Sequence, residues 1–192
     1  MTHSTREQWL TAAIAELRPL FVSRNAPLPD LVRVTCGFPS SKARTLNRCV
    51  GEHWSPAVSN DNHHELMISP VEDDPFTVFA VLIKCLCHAA LFADGKDPHR
   101  GRFPKLIKSL WLGGKPTAPI VTDDFRNNFA DLIESLGEYP HAKINIGAER
   151  RTQSTRMIKA SCHECSYTIR LSDKWAKKGL PVCPVDGFLF SI

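Results

Sequence analysis

The residues most able to do chemistry lie near the C-terminal end of the 192-residue chain. Cys162-x-x-Cys165 is followed, after a gap of seventeen residues, by Cys183-Pro184 at a second tight turn. A C-x-x-C turn offers two thiolates to one tetrahedral ion, and a segment with so little core of its own needs such a staple. The expected ion is a structural zinc. A cysteine would complete the set two or three residues after Cys183, where Val185 and Asp186 stand. Asp186 can supply an oxygen, and His163, inside the first turn, is a second candidate for the fourth donor. In the competing reading the segment holds no metal and is kept folded by packing of Tyr167, Trp175 and Phe188.

A second constellation is Lys84-Cys85-Leu86-Cys87-His88, inside the apolar run around Val81–Ala90. Cys85 and His88 are three residues apart and share a helical face, so soft N/S ligation together with His99 is geometrically possible. Cys87 points elsewhere. Cys85 or Cys87 acting as a nucleophile with His88 as base is a poorer fit, because near neighbours on one helix are badly placed for proton transfer. A cysteine in an apolar helix is more often a small core residue.

Charge is unevenly placed. The whole chain carries a formal +4, but the segment 143–192 holds nine Lys and Arg against four Asp and Glu, while 1–142 holds fifteen against sixteen. Arg150, Arg151, Arg156, Lys159, Arg170, Lys174, Lys177 and Lys178 are therefore candidate phosphate contacts, with Tyr167 and Trp175 able to stack on bases. DNA is the expected acidic partner. A solvated basic face that serves only solubility is the alternative.

The elements that must position these residues follow from periodicity. Glu7 to Val22 is an amphipathic helix, with Ser4 or Thr5 to cap it. Leu31–Cys36, Cys49–Trp54 and His64–Ile68 read as strands, and the match of His64-Glu65 to a zinc motif is accidental because Ile68 stands where a second His is needed. Asp73-Asp74-Pro75 starts a helix to about Leu91. Helices follow from Phe103 to Trp111 and, capped by Asp123-Asp124, to Leu136. Pro116 and Pro119 punctuate a loop between them. Strands at 156–160, 167–171 and 188–190, with a helical turn at Ser172–Trp175, frame the cysteines. The fold class is α+β: a small antiparallel or mixed sheet packed on helices, with a C-terminal subdomain that resembles a zinc ribbon. The expected divisions are a core at 1–142, a linker at 143–155 and the ribbon at 156–192.

Composition, with 43% hydrophobic and 23% charged residues, is that of a soluble globular protein. The longest apolar run is too short to cross a bilayer, and residues 1–7 lack the pattern of a secretory signal. Seven cysteines in no regular framework favour a reducing compartment. The expected location is the cytoplasm of a bacterium or phage-infected host cell, with no membrane partner.

Taken in order, several segments resemble the SprT-like family of zinc metalloprotease domains, in the short form found in actinobacteria and their phages. They are Val34-Thr35-Cys36-Gly37-Phe38-Pro39, Gly51-Glu52-His53-Trp54-Ser55-Pro56, Glu65-Leu66-Met67-Ile68-Ser69-Pro70, Asp74-Pro75, Val81–Ala90, His99-Arg100-Gly101-Arg102-Phe103, Gln153-Ser154-Thr155-Arg156, Lys174-Trp175 and Gly179-Leu180-Pro181. The resemblance implies a zincin-like core and a DNA-associated ancestor. Members carry His-Glu-x-x-His on the active helix and a third His after it. In that register His88 and His99 match the second and third ligands, Lys84 replaces the first ligand, and Cys85 replaces the catalytic Glu. A protonated amine cannot ligate zinc, and a thiol cannot take the proton from bound water. The expectation is a pseudoprotease with no zinc in the central helix, in which a neighbouring acid balances Lys84, and which acts by binding DNA. A module engaging a host protein and a metal-dependent hydrolase with a rebuilt Cys/His site are the alternatives, as is an unrelated α+β domain in which His88 is a satisfied core residue.

Overall fold

Helix α1 (Arg6–Ser23) starts where the Thr5 side chain accepts a hydrogen bond from the Gln8 N–H, and its stripe of Trp9, Leu10, Ala13, Ile14, Leu17 and Phe21 is buried. The structure, a computed structural model, describes residues 3–41, 49–92, 100–146 and 157–192. It divides into two units, 1–146 and 147–192.

Strands β1 (Val32–Cys36), β2 (Gly51–Trp54) and β3 (His64–Ile68) form a sheet of order β1-β3-β2. Strand β3 runs antiparallel to β2, as the turn between them requires, and parallel to β1. Of the two arrangements expected, the mixed one is found. Alternation marks which side chains face the core, but the direction of β1 is set by where the chain brings it in after α1. On the inner face Val34, Leu66 and Ile68 are buried.

Helix α2 (Pro75–Ala90) packs against that face. Asp74 accepts from the Thr77 N–H at 2.8 Å and from its hydroxyl at 2.6 Å, and Pro75 follows at the first turn, where its missing N–H costs nothing. Ten of its sixteen residues are buried, as for a helix enclosed on most sides. Gly51 is where β2 comes closest: a Cβ there would lie 2.3 Å from Val81 Cγ1 and 3.0 Å from Cys85 Sγ.

Helix α3 (Arg102–Ser109) ends two residues short of the expected Trp111, which takes a left-handed φ of 59°. The stretch read as a loop is instead a hairpin, β4 (Leu112–Lys115) with β5 (Ala118–Val121), closed by the two residues Pro116 and Thr117. Gly and Pro there mark a tight turn between short strands, and Gly114 at φ 75° supplies the bend. Helix α4 (Asp123–Leu136) is capped not by the aspartates but by Thr122, whose hydroxyl accepts from Phe125 N and donates to the Trp111 carbonyl. Asp123 and Asp124 sit in the first turn, where the helix dipole favours them.

Trp9, Phe79, Phe125 and Phe129 meet edge-on or tilted in the centre of this first unit. Arg6 is only 5% exposed, yet its guanidinium donates to the carbonyls of Pro70, Pro140, His141 and Ala142. It clasps the start of α1 to two distant segments. Lys143 and Ile144, assigned by sequence to a linker, bond back to Asp73 and to the Pro70 carbonyl. Among the described residues no helix is long and apolar enough to cross a membrane.

In the second unit, β6 (Ile158–Ser161) and β7 (Thr168–Leu171) pair antiparallel and a single-turn helix α5 (Asp173–Ala176) follows. The expected strand at 188–190 is reduced to isolated bridges, Val182 with Leu189 and Ser161 with Ser191.

Candidate metal centre

The second unit is built around two turns with one backbone pattern. In the first, Cys162 N–H donates to the Tyr167 carbonyl and Ser166 N–H donates to the Cys162 carbonyl. In the second, Cys183 N–H donates to Phe188 and Gly187 N–H to Cys183, at the same offsets. Each turn has a left-handed residue at its fifth position, Ser166 at φ 61° and Gly187 at φ 78°. The third residue after the leading cysteine therefore points to the same place in both turns. In the first turn it is Cys165, and in the second it is Asp186.

Cys162, Cys165, Cys183 and Asp186 converge, each offering a ligand atom within 4.8 Å of the others. Cys162 Sγ donates to the Asp186 carboxylate at 3.2 and 3.4 Å, and Cys165 Sγ lies 3.4 Å from Cys183 Sγ. A tetrahedral ion with metal–sulfur bonds near 2.3 Å needs sulfurs about 3.8 Å apart, so the cluster expands by a few tenths of an ångström to take one. The group can hold a metal ion. Asp186 is kept well below the usual carboxylate range, first by its hydrogen bond with Cys165 and then by the Phe188 N–H. The Cys165 thiol, facing that anion, is pushed up to about 12. Without metal the negative charge therefore rests on the carboxylate and the proton stays on sulfur; a bound cation would take the place of that proton.

His163 stands apart from this group. Its Nε2 is 3.5 Å from Glu164, and its ring meets Phe188 edge-on at 5.2 Å. Tyr167 is exposed and touches Phe190, and the buried core of the unit is Ala160, Cys162, Cys183 and Phe190. Trp175 is 57% exposed rather than core.

Around Trp175 the basic residues gather. Lys174 Nζ lies 5.7 Å and Lys178 Nζ 5.1 Å from its ring centroid. An open cleft of about 630 Å³ runs beside it, with Arg170, Ser172, Lys178 and Pro181 in its lining. Lys159 and Arg170 are exposed and directly opposite one another across β6 and β7. Lys177 is committed to Asp173 at 2.7 Å. Arg150, Arg151 and Arg156 lie outside the described residues.

On α2, Lys84 and His88 are half-buried and Cys85 is 1% exposed. Lys84 Nζ donates to the Thr117 carbonyl at 3.0 Å, so among the described residues it is held by the turn of the β4–β5 hairpin rather than by the acid expected from sequence. Burial pushes the Cys85 thiol up to about 12 and that of Cys87 well above its ordinary value. Neither is poised as a thiolate. The structure does not bring Cys85 and His88 into a converging donor group among the described residues, and His99 lies outside them.

His88 instead faces His53, which is paired in turn with His64. Its ring stacks on that of His53 at 6.2 Å and 5°, and touches Phe103 at 4.3 Å. His53 Nε2 lies 2.9 Å from His64 Nδ1, one nitrogen donating to the other, and Phe92 closes over both rings edge-on. Burial, and next the nearby His64, lowers His53 to about 4, and burial also lowers His64. Sequence reasoning missed this cluster. Its one signal is that His53 and His64 fall on the inward positions of two strands whose other inward residues are small or apolar.

Neither a family model, nor a curated protein, nor a solved structure matches this chain.

Proposed function

We propose that this chain is a catalytically degenerate SprT-like protein that acts by binding, and that its second unit, stapled by a zinc ion on Cys162, Cys165, Cys183 and Asp186, binds DNA. Three thiols and a carboxylate are a donor set that suits zinc. The observation that carries the DNA reading is the exposed Trp175 ring flanked by Lys174 and Lys178. Stacking is available to any base, and the two ammonium groups are placed for the phosphates beside it. Lys159 opposite Arg170 supports it further. Like charges directly across a sheet destabilise it, and a phosphate between them would remove the repulsion.

The test is fluorescence anisotropy of the full-length protein with a labelled oligonucleotide at several salt concentrations. Affinity should fall steeply with salt, and Lys174→Gln with Lys178→Gln should flatten the dependence by about one unit of slope per lost contact. Binding that is absent or indifferent to salt would overturn the reading.

A second reading, a module that engages a host protein, is favoured by an apolar hollow of about 350 Å³ on the sheet, lined by Thr35, Trp54, Val58, Glu65, Leu66 and Met67. A partner captured on immobilised protein after nuclease treatment, and lost on Trp54→Ala, would support it over DNA. The burial of Cys85 weighs against a hydrolase built on that thiol.

A further inference from the structure

We infer that His53 and His64 form a second metal site, separate from the cysteine cluster, that takes a late first-row divalent ion such as zinc through His53 Nε2 and His64 Nδ1. The two nitrogens come from adjacent strands, and their 2.9 Å separation is already close to the spacing of two ligands on one ion. With metal–nitrogen bonds of about 2.0–2.1 Å, a tetrahedral ion sets its ligands about 3.3 Å apart. The donating ring moves its proton to its other nitrogen, a swing of a few tenths of an ångström then admits the ion between the two unprotonated nitrogens, and imidazole is a preferred donor for zinc, copper and nickel.

The surroundings fit a held pair rather than a surface coincidence. His64 is 7% exposed, and His53 is half-buried with its ring stacked on His88 of α2. The edge of Phe92, itself 45% exposed, covers them at 5.4 and 6.4 Å. Phe92 and His88 pack against the rings, and the exposure of Phe92 leaves an entry path. The cysteine cluster is the converging group of three or more donors among the described residues, so His88, stacked on the outer side of His53, is not drawn in as a third ligand. Water or a small anion would complete the coordination.

The experiment uses the full-length protein carrying one equivalent of zinc on its cysteines. Zinc alone is then titrated by calorimetry, with the histidine ring nitrogens followed by NMR. A second equivalent should bind, with the His53 Nε2 and His64 Nδ1 resonances shifting together in the wild-type protein. His53→Asn and His64→Asn should each weaken it at least ten-fold, and His63→Asn, outside the pair and beside Asp61, should not. The NMR shifts need no variant, so they decide the matter even if a substitution unfolds the chain. The inference is overturned if no second equivalent binds, which would leave the pair as a hydrogen bond only. It is equally overturned if the pair's nitrogens stay still, or if the second ion is lost on His88→Asn but kept in both pair variants.

Discussion

Asp186 holds in the second knuckle the place that Cys165 holds in the first. Each stands three residues after a cysteine whose N–H and carbonyl close the turn with the same two hydrogen bonds. The backbone aims the position into the cluster, and the side chain decides which donor it offers.

Replacing that oxygen by sulfur therefore tunes the site without rebuilding it. Asp186→Cys should tighten zinc binding, since thiolate is the softer donor. Asp186→Ala should weaken it by at least the roughly ten-fold that losing even an outer-shell partner costs. Competition against a chromophoric chelator reads both. Equal affinity in all three proteins would remove Asp186 from the ligand set.

Lys159 and Arg170 separate stability from binding. Lys159→Glu turns a like-charge cross-strand pair into an attractive one, which should stabilise the second unit by about 0.2–1 kcal/mol. The same change should weaken DNA binding and lower its salt slope. Thermal melting and anisotropy on one preparation should move in opposite directions, and a joint loss of both would mean that Lys159 is structural.

Building the His-Glu-x-x-His pattern of the resembled family into α2 should fail for a packing reason. Cys85 is 1% exposed and lies under Gly51, so Cys85→Glu, alone or with Lys84→His, buries an unpaired carboxylate. The expected loss is about 3–5 kcal/mol by urea denaturation, with no gain of peptidase activity. A stable, active double variant would show that helix α2 can present position 85 to substrate.

Gly51 gives a related test. Alanine in a strand is ordinarily favoured over glycine by about 0.5–1 kcal/mol, but here its Cβ would fall 2.3 Å from Val81 Cγ1. Overpacking costs of about 1–3 kcal/mol should win, so Gly51→Ala should destabilise. The double variant with Val81→Ala should be less damaged than the two single losses added together.

Acid should loosen the first unit before the second. In chelator, so that no metal competes with protons, His53 titrates near 4 when folded and at 6.5 when unfolded, with His64 and His88 as its facing imidazoles. Between these values the unfolded chain binds more protons. Stability is thus lost as pH falls from about 6.5 to about 4 and levels off below. Asp186, depressed from 3.8, holds its contribution until the pH drops below that value. Far-UV melting of wild type and His53→Asn across this range checks it: the variant should lose much of the slope.

The helices were legible because their apolar stripes recur at a period that only a helix turns into one face, as at Trp9, Ala13 and Leu17. The direction of β1 was not, since it depends on a partner more than thirty residues away. The β4–β5 hairpin was hidden by its own turn residues: Gly113, Gly114, Pro116 and Pro119 read as loop whether or not the flanks pair. Three of the four converging donors were plain from spacing, and the fourth was narrowed to Asp186 or His163, between which the copied second turn selects Asp186. The histidine pair lay beyond reach, because residues eleven apart on two strands meet only once the register is known.

The order β1-β3-β2 has a consequence for how the molecule is made. The strand last in sequence is central, and the first two bond to it rather than to each other. A nascent chain that stops short of Ile68 therefore has no complete sheet to form, and β1 must wait, unpaired, through more than thirty residues of synthesis. Closing that loop precedes any reward from pairing, so the sheet should appear late and all at once rather than strand by strand.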